Sequence, residues 1–148
     1  VAEIPMSIYV GAAAAAADTR ENDMVTRPIY QSVFCSYSHR DTQIVERVER
    51  AYKALGMTFL RDVVTLKSGQ DWSDELLRLI DRADIFQLFW SSAAAQSEAV
   101  RKEWMYALNR QRQTGTFIRP VFWEQPLPPL PPELTAIHFA YAPDLDEP

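Results

Sequence analysis

The 148-residue chain contains a single cysteine, Cys35. One thiol excludes an internal disulfide and cannot supply the ligand cluster of a structural zinc site, so a reducing compartment, the cytoplasm, is expected, with no bound metal. Glycine is also scarce. The four glycines stand at 11, 56, 69 and 115, and none belongs to a glycine-rich loop after a strand, which argues against a phosphate or flavin cradle. Positive charge is not in excess either: the formal net charge is -5, leaving no global field to hold a nucleic-acid backbone or an anionic membrane. The longest apolar run, Val10 to Ala17, is mostly alanine and far short of the roughly 20 residues a transmembrane helix needs. Val1 opens the chain with no basic segment before an apolar one, so the sequence reads as a piece of a longer protein and not as a secretory precursor.

What is present suffices for one core, since 47% of the residues are hydrophobic. Residues 1–28 read as the end of an upstream domain, with a strand over Met6 to Val10, followed by a linker. Residues 29–142 read as one domain and 143–148 as a tail. From Ile29 the pattern is regular. Ser32 to Ser36 forms a strand, and Asp41 to Leu55 a helix with Ile44, Val45, Val48, Ala51, Tyr52 and Leu55 on its apolar face and Gly56 as its cap. Met57 to Leu60 is a second strand, Arg61 to Asp71 a polar loop, and Ser73 the N-cap of a helix to Arg82 with an apolar stripe of Leu76, Leu77, Ile80 and Ala83. Ile85 to Trp90 is apolar enough to lie mid-sheet, covered on both faces. A helix over Ser97 to Gln111, strands over Phe117 to Trp123 and Ile137 to Tyr141, and a proline-rich connection between those strands complete the pattern. Alternation with short connections predicts an α/β fold: a flavodoxin-like five-stranded parallel sheet, order 2-1-3-4-5, with helices on both faces. Ligands of such sheets bind beyond the carboxyl ends of the strands, here the turns after Ser36 and Trp90.

The segments SVFCSYSHRD, LRDVVTLKSGQDW, FWSSAAAQSEAVRKEW and FIRPVFWEQPLPPLPPEL resemble, in order and over about residues 30–142, strand A, the BB loop, strand C with helix C, and strand D of bacterial Toll/interleukin-1 receptor (TIR) domains. The resemblance implies self-association with other TIR domains through the BB loop, Val63 to Trp72, and places Leu66, Lys67 and Gly69 there. It also implies cleavage of NAD+, as substrate and not as cofactor, with Glu103 on helix C as the catalytic carboxylate. Tyr37 and Ser38 would then line the nucleotide pocket and Trp72 would cover a ring of the substrate. The position four residues before the glutamate, often aromatic in active members, is Ala99.

Taken without the resemblance, Glu103 falls on the flank of the stripe Val100, Trp104, Ala107 and Leu108. No basic residue three or four positions away on its helix can pair with it. Glu98, by contrast, has Lys102 at i+4. A semi-exposed carboxylate bridging to Arg40 is the structural alternative for Glu103. Trp72 could equally be a packing residue at a helix start, and Tyr37 and Ser38 a plain turn. His39 is expected to be solvated, His138 to be an edge-strand residue, and Cys35 to be a small buried hydrophobe. Two functions compete: an NAD+-cleaving enzyme of bacterial defence signalling, clustered by an upstream sensor, and a non-catalytic adaptor that only recruits other TIR domains.

Overall fold

The computed structural model describes residues 32–60 and 74–147. The expected strand and linker of residues 1–28, the BB-loop positions Leu66, Lys67, Gly69 and Trp72, and the cap at Ser73 lie outside the described residues. Strand β1 (Ser32–Ser36) leads through a 3-10 turn, His39–Asp41, into helix α1 (Thr42–Ala54), and β2 (Thr58–Phe59) follows. Then come α2 (Asp74–Arg82), β3 (Ile85–Trp90), the single-turn α3 (Ser92–Ala95), α4 (Glu98–Thr114), β4 (Ile118–Phe122) and β5 (Ala140–Tyr141). All pairings are parallel and the order is β2-β1-β3-β4-β5, the doubly wound arrangement that alternation predicts.

All six residues of β3 are buried, because helices cover both faces of a central parallel strand. Its one polar residue is satisfied on both sides. The Tyr52 hydroxyl donates to Gln87 Oε1 at 2.6 Å, and Gln87 Nε2 donates to the Arg119 carbonyl at 2.5 Å. One amide thus ties α1, β3 and β4 together. Pro120 pairs with Leu88 in β4, and β5 meets only Val121 and Phe122. The missing proline N–H therefore falls where no strand lies opposite to receive it.

Two apolar layers flank the sheet. Phe34, Phe86, Leu88 and Trp90 pack with α2 and α4 side chains such as Leu79, Ile80, Val100 and Trp104. On the opposite face Val33, Cys35, Ile85 and Phe89 pack with Ile44, Val45, Val48 and Tyr52 of α1. Gly56, at φ 84°, ends α1: its N–H bonds the Lys53 carbonyl and Met57 N–H bonds that of Tyr52, both at 3.0 Å. This left-handed cap is the one glycine permits.

Several boundaries differ from expectation. Leu55 is 49% exposed, because α1 stops at Ala54 and the cap turns Leu55 off the apolar face. In α2 the buried set is Leu76, Leu79 and Ile80, with Leu77 only half-buried. Glu98 pairs loosely with Arg101 at 3.7 Å and not with Lys102. His138 is exposed and precedes β5, which is shorter than expected. The segment expected as a tail forms a 3-10 helix, Pro143–Asp146, that sinks Leu145 to 1% exposure in the α1-side layer. The Arg47 guanidinium anchors it by donating to the carbonyls of Leu145 and Glu147.

Candidate functional site

Ser36 closes β1 and is fully buried. Side chains alternate along a strand, so Ser36 shares the face of Phe34, toward α4. Its Oγ donates to Glu103 Oε1 at 2.6 Å, the short distance typical of a hydroxyl on a carboxylate. Glu103 is only 3% exposed. The buried positions of α4 are Val100, Glu103, Trp104, Ala107 and Leu108, the i, i+3, i+4, i+7, i+8 set of a core-facing stripe. Glu103 therefore sits within the stripe, not on its flank. Nor does it bridge to Arg40, which is exposed and lines a cleft on the α1 side with Gln43 and Arg47.

Burying a carboxylate in an apolar stripe is costly unless hydrogen bonds replace water. Ser36 supplies one of them. The capping serine Ser97 accepts from the Val100 N–H at 3.2 Å and sets where α4 starts, so it fixes which residues of the helix face the sheet.

The other expected residues lie at the same edge but serve different contacts. Tyr37 is half-buried and packs edge-on against Phe89, ring centres 6.4 Å apart, in the layer on the α1 side. Ser38 accepts from the Arg40 N–H at 3.3 Å and caps the 3-10 turn. Ala99 is exposed. Trp72 lies outside the described residues; among the described residues this edge brings Ser36 and Glu103 together.

Sequence reasoning missed a second row of polar contacts along this edge. Ser91, buried just past β3, donates to Asp41 Oδ2 at 2.6 Å while its oxygen accepts from the Ala94 N–H at 3.0 Å. The backbone N–H and hydroxyl of Ser92 both reach Glu124 Oε1, at 3.1 and 2.6 Å. Burial pushes the Asp41 carboxyl above its ordinary 3.8; the Ser91 hydrogen bond opposes this, and the nearby charges of Glu124 and Asp146 add to the rise. A cleft of about 370 Å3 opens here between Arg40, Asp41, Arg47, Glu124 and Asp146. The available signal was a serine at the end of each central strand, a place where alternation leaves a side chain facing the ligand edge.

Among the described residues no cluster of three or more histidine, cysteine or acidic side chains could hold a metal ion, and no helix is long and apolar enough to cross a membrane.

The doubly wound five-stranded parallel sheet, with the α4 carboxylate buried against the end of β1, defines a flavodoxin-like α/β domain. The TIR-domain family profile matches residues 33–147, and the chain belongs to the TIR domain family. Among solved structures, the TIR domains of the activated Roq1 resistosome, which directly recognises the pathogen effector XopQ, are similar at 26% identity. Their TM-score is 0.52, over 64% of this chain and 58% of that one. The TIR domain of the Toll-related receptor TRR-2 from Hydra magnipapillata is similar at 12% identity and a TM-score of 0.59, covering 74% of this chain and 82% of that one. The chain thus spans little more than half of the Roq1 chain. No curated protein matches.

Proposed function

We propose that this TIR domain cleaves NAD+ when an upstream sensor clusters it, releasing nicotinamide and leaving linear or cyclic ADP-ribose, within bacterial defence signalling. The observation that supports this reading is the single buried carboxylate, Glu103, held by Ser36 at the carboxyl end of β1. The chemistry suits one anion. Nicotinamide leaves a pyridinium ribosyl bond as a neutral molecule, so no general acid has to protonate it, unlike the poor oxygen leaving group of an ordinary glycoside. A carboxylate beside the ribose then stabilises the developing oxocarbenium charge in a site of low dielectric. Ser36 acts on the geometry by restricting the carboxylate's rotation.

A carboxylate only 3% exposed in one isolated chain has to be uncovered before a ribose can meet it. Docking of a neighbouring TIR domain is the event that would uncover it, which makes activity a property of the assembly. Nicotinamide release by the clustered protein, compared with Glu103→Gln in the same assembled state, tests the reading. The same burial, with Ala99 exposed where a stacking aromatic would stand, favours a second reading: Glu103 orders β1 against α4 in a non-catalytic adaptor. Assembly without nicotinamide release would select the adaptor.

A further inference from the structure

The run from Glu124 to Leu134, EQPLPPLPPEL, contributes nothing to the proposed chemistry, yet its burial follows a period of three. Pro126, Pro129 and Pro132 are exposed, Leu127 and Leu130 half-buried, Pro128 buried and Pro131 half-buried, up to where the chain turns into the 3-10 helix Pro132–Leu134. Three residues per turn is the repeat of a polyproline II helix, and covalent geometry imposes it here. Pro128, Pro129 and Pro131 each fix their own φ at about −65°. Leu127, Pro128, Leu130 and Pro131 each precede a proline, which drives them to extended ψ. Pro131 shows the result, with φ −63° and ψ 153°.

The buried side of this helix is anchored to the domain. Trp90 Nε1 donates to the Pro128 carbonyl at 3.3 Å, and Leu127 and Leu130 pack against the layer that contains Leu134 and Trp90. The opposite side is a ridge of proline rings. The carbonyls of Leu127, Pro129 and Leu130 take no hydrogen bond among the described residues, so acceptors remain along the ridge. Beside it, between α3 and Pro129–Pro131, opens a cavity of about 390 Å3 lined by Ser92, Ala95, Gln96 and Leu130.

We infer that this proline ridge is a docking strip for a partner protein whose groove is lined by aromatic side chains and rimmed by basic ones. Aromatic grooves read polyproline II ligands because flat rings fit between proline rings every third residue, and because the ligand loses little entropy on binding. Here the domain itself pre-organises the ligand. From Pro126 to Pro132 the ridge spans about 19 Å at the polyproline rise, two turns of such a helix. The partner's rim follows from charge: the one charged residue of 125–134 is the exposed Glu133, and the segment has no basic residue. The cavity beside Pro129 and Leu130 gives one aromatic ring of the partner a place to enter.

The test titrates the isotope-labelled full chain with a panel of purified SH3 and WW domains chosen for basic-rimmed aromatic grooves, with resonance shifts as readout. At least one domain should bind saturably at one to one, shifting resonances of 124–134 and of α3. A synthetic peptide of residues 124–134 should compete. Pro129→Ala should weaken binding at least tenfold while the domain stays folded with only a small fall in the unfolding midpoint, since the exposed ring makes little packing and the loss is mainly of backbone restriction, and Pro129→Ala with Pro132→Ala should weaken binding further. If no domain of the panel binds, or if Pro129→Ala binds as the parent does, the ridge is only a self-packing loop and the inference fails.

Discussion

At the residue scale, the Ser36–Glu103 contact and the Ser91–Asp41 contact are two similar hydroxyl–carboxylate bonds with different consequences. Ser36→Ala leaves Glu103 buried without one of its donors, which costs roughly 1–3 kcal/mol of stability. If Ser36 also orients a catalytic carboxylate, kcat falls in the assembled enzyme while KM changes little. Urea denaturation and steady-state kinetics separate the two effects. For Asp41 the sign of the pH dependence follows from its raised carboxyl. The folded protein holds a proton there at a pH where the unfolded chain, near 3.8, has released it. The charged form is thus penalised in the native state, and stability at this site is lost as pH rises above 3.8. Asp41→Asn, which can still accept from Ser91, should therefore be more stable relative to the parent at pH 7 than at pH 4.5. Denaturation midpoints that show the advantage growing on acidification would contradict this account of Asp41.

At the element scale, α4 carries the candidate carboxylate, and its legibility was uneven. The expected helix over Ser97 to Gln111 runs instead over Glu98–Thr114, with Ser97 outside it as the cap and a polar last turn that the apolar spacing does not mark. Glu103 was misplaced by one column: a carboxylate inside an apolar stripe looks like the stripe's edge until its donor is known, and Ser36 is 67 positions away in sequence. The turn α3 was missed because four residues carry no periodicity. The α2–α4 joint was equally hidden. The Tyr106 hydroxyl lies 3.0 and 2.9 Å from the two Asp81 oxygens, and this hydrogen bond, chiefly, raises the Tyr106 hydroxyl above 10.0. Arg110 lies over the Phe117 ring, 4.1 Å from its centre, and donates to the Ala83 carbonyl at 2.7 Å. Tyr106→Phe should cost about 0.5–1.5 kcal/mol in urea denaturation, the net worth of one hydrogen bond. The C-terminal 3-10 helix is a larger matter. Leu145→Ala should cost about 2–5 kcal/mol, as for other fully buried leucines, and a loss below about 0.5 kcal/mol would show that residues 143–147 are a detachable tail.

At the scale of the whole molecule, strand order was legible because parallel crossovers admit few topologies once strands and helices alternate, and β3 announced its central place by composition. What lay at the carboxyl edge was less so. Alternation puts Ser36 and Tyr37 on opposite faces, but does not say that Ser36 meets a carboxylate 67 positions away on α4 while Tyr37 meets Phe89. The proposed enzyme also depends on a scale above the single chain, because Glu103 is covered in the monomer. The most direct measurement is nicotinamide release from NAD+ as a function of protein concentration, with the chain fused to an oligomerising domain and compared with the unfused chain and with clustered Glu103→Gln. Little release is expected from the monomer, with specific activity that rises steeply on clustering and falls by orders of magnitude in Glu103→Gln at the same assembly state. Equal turnover by the clustered parent and Glu103→Gln would contradict the proposed function.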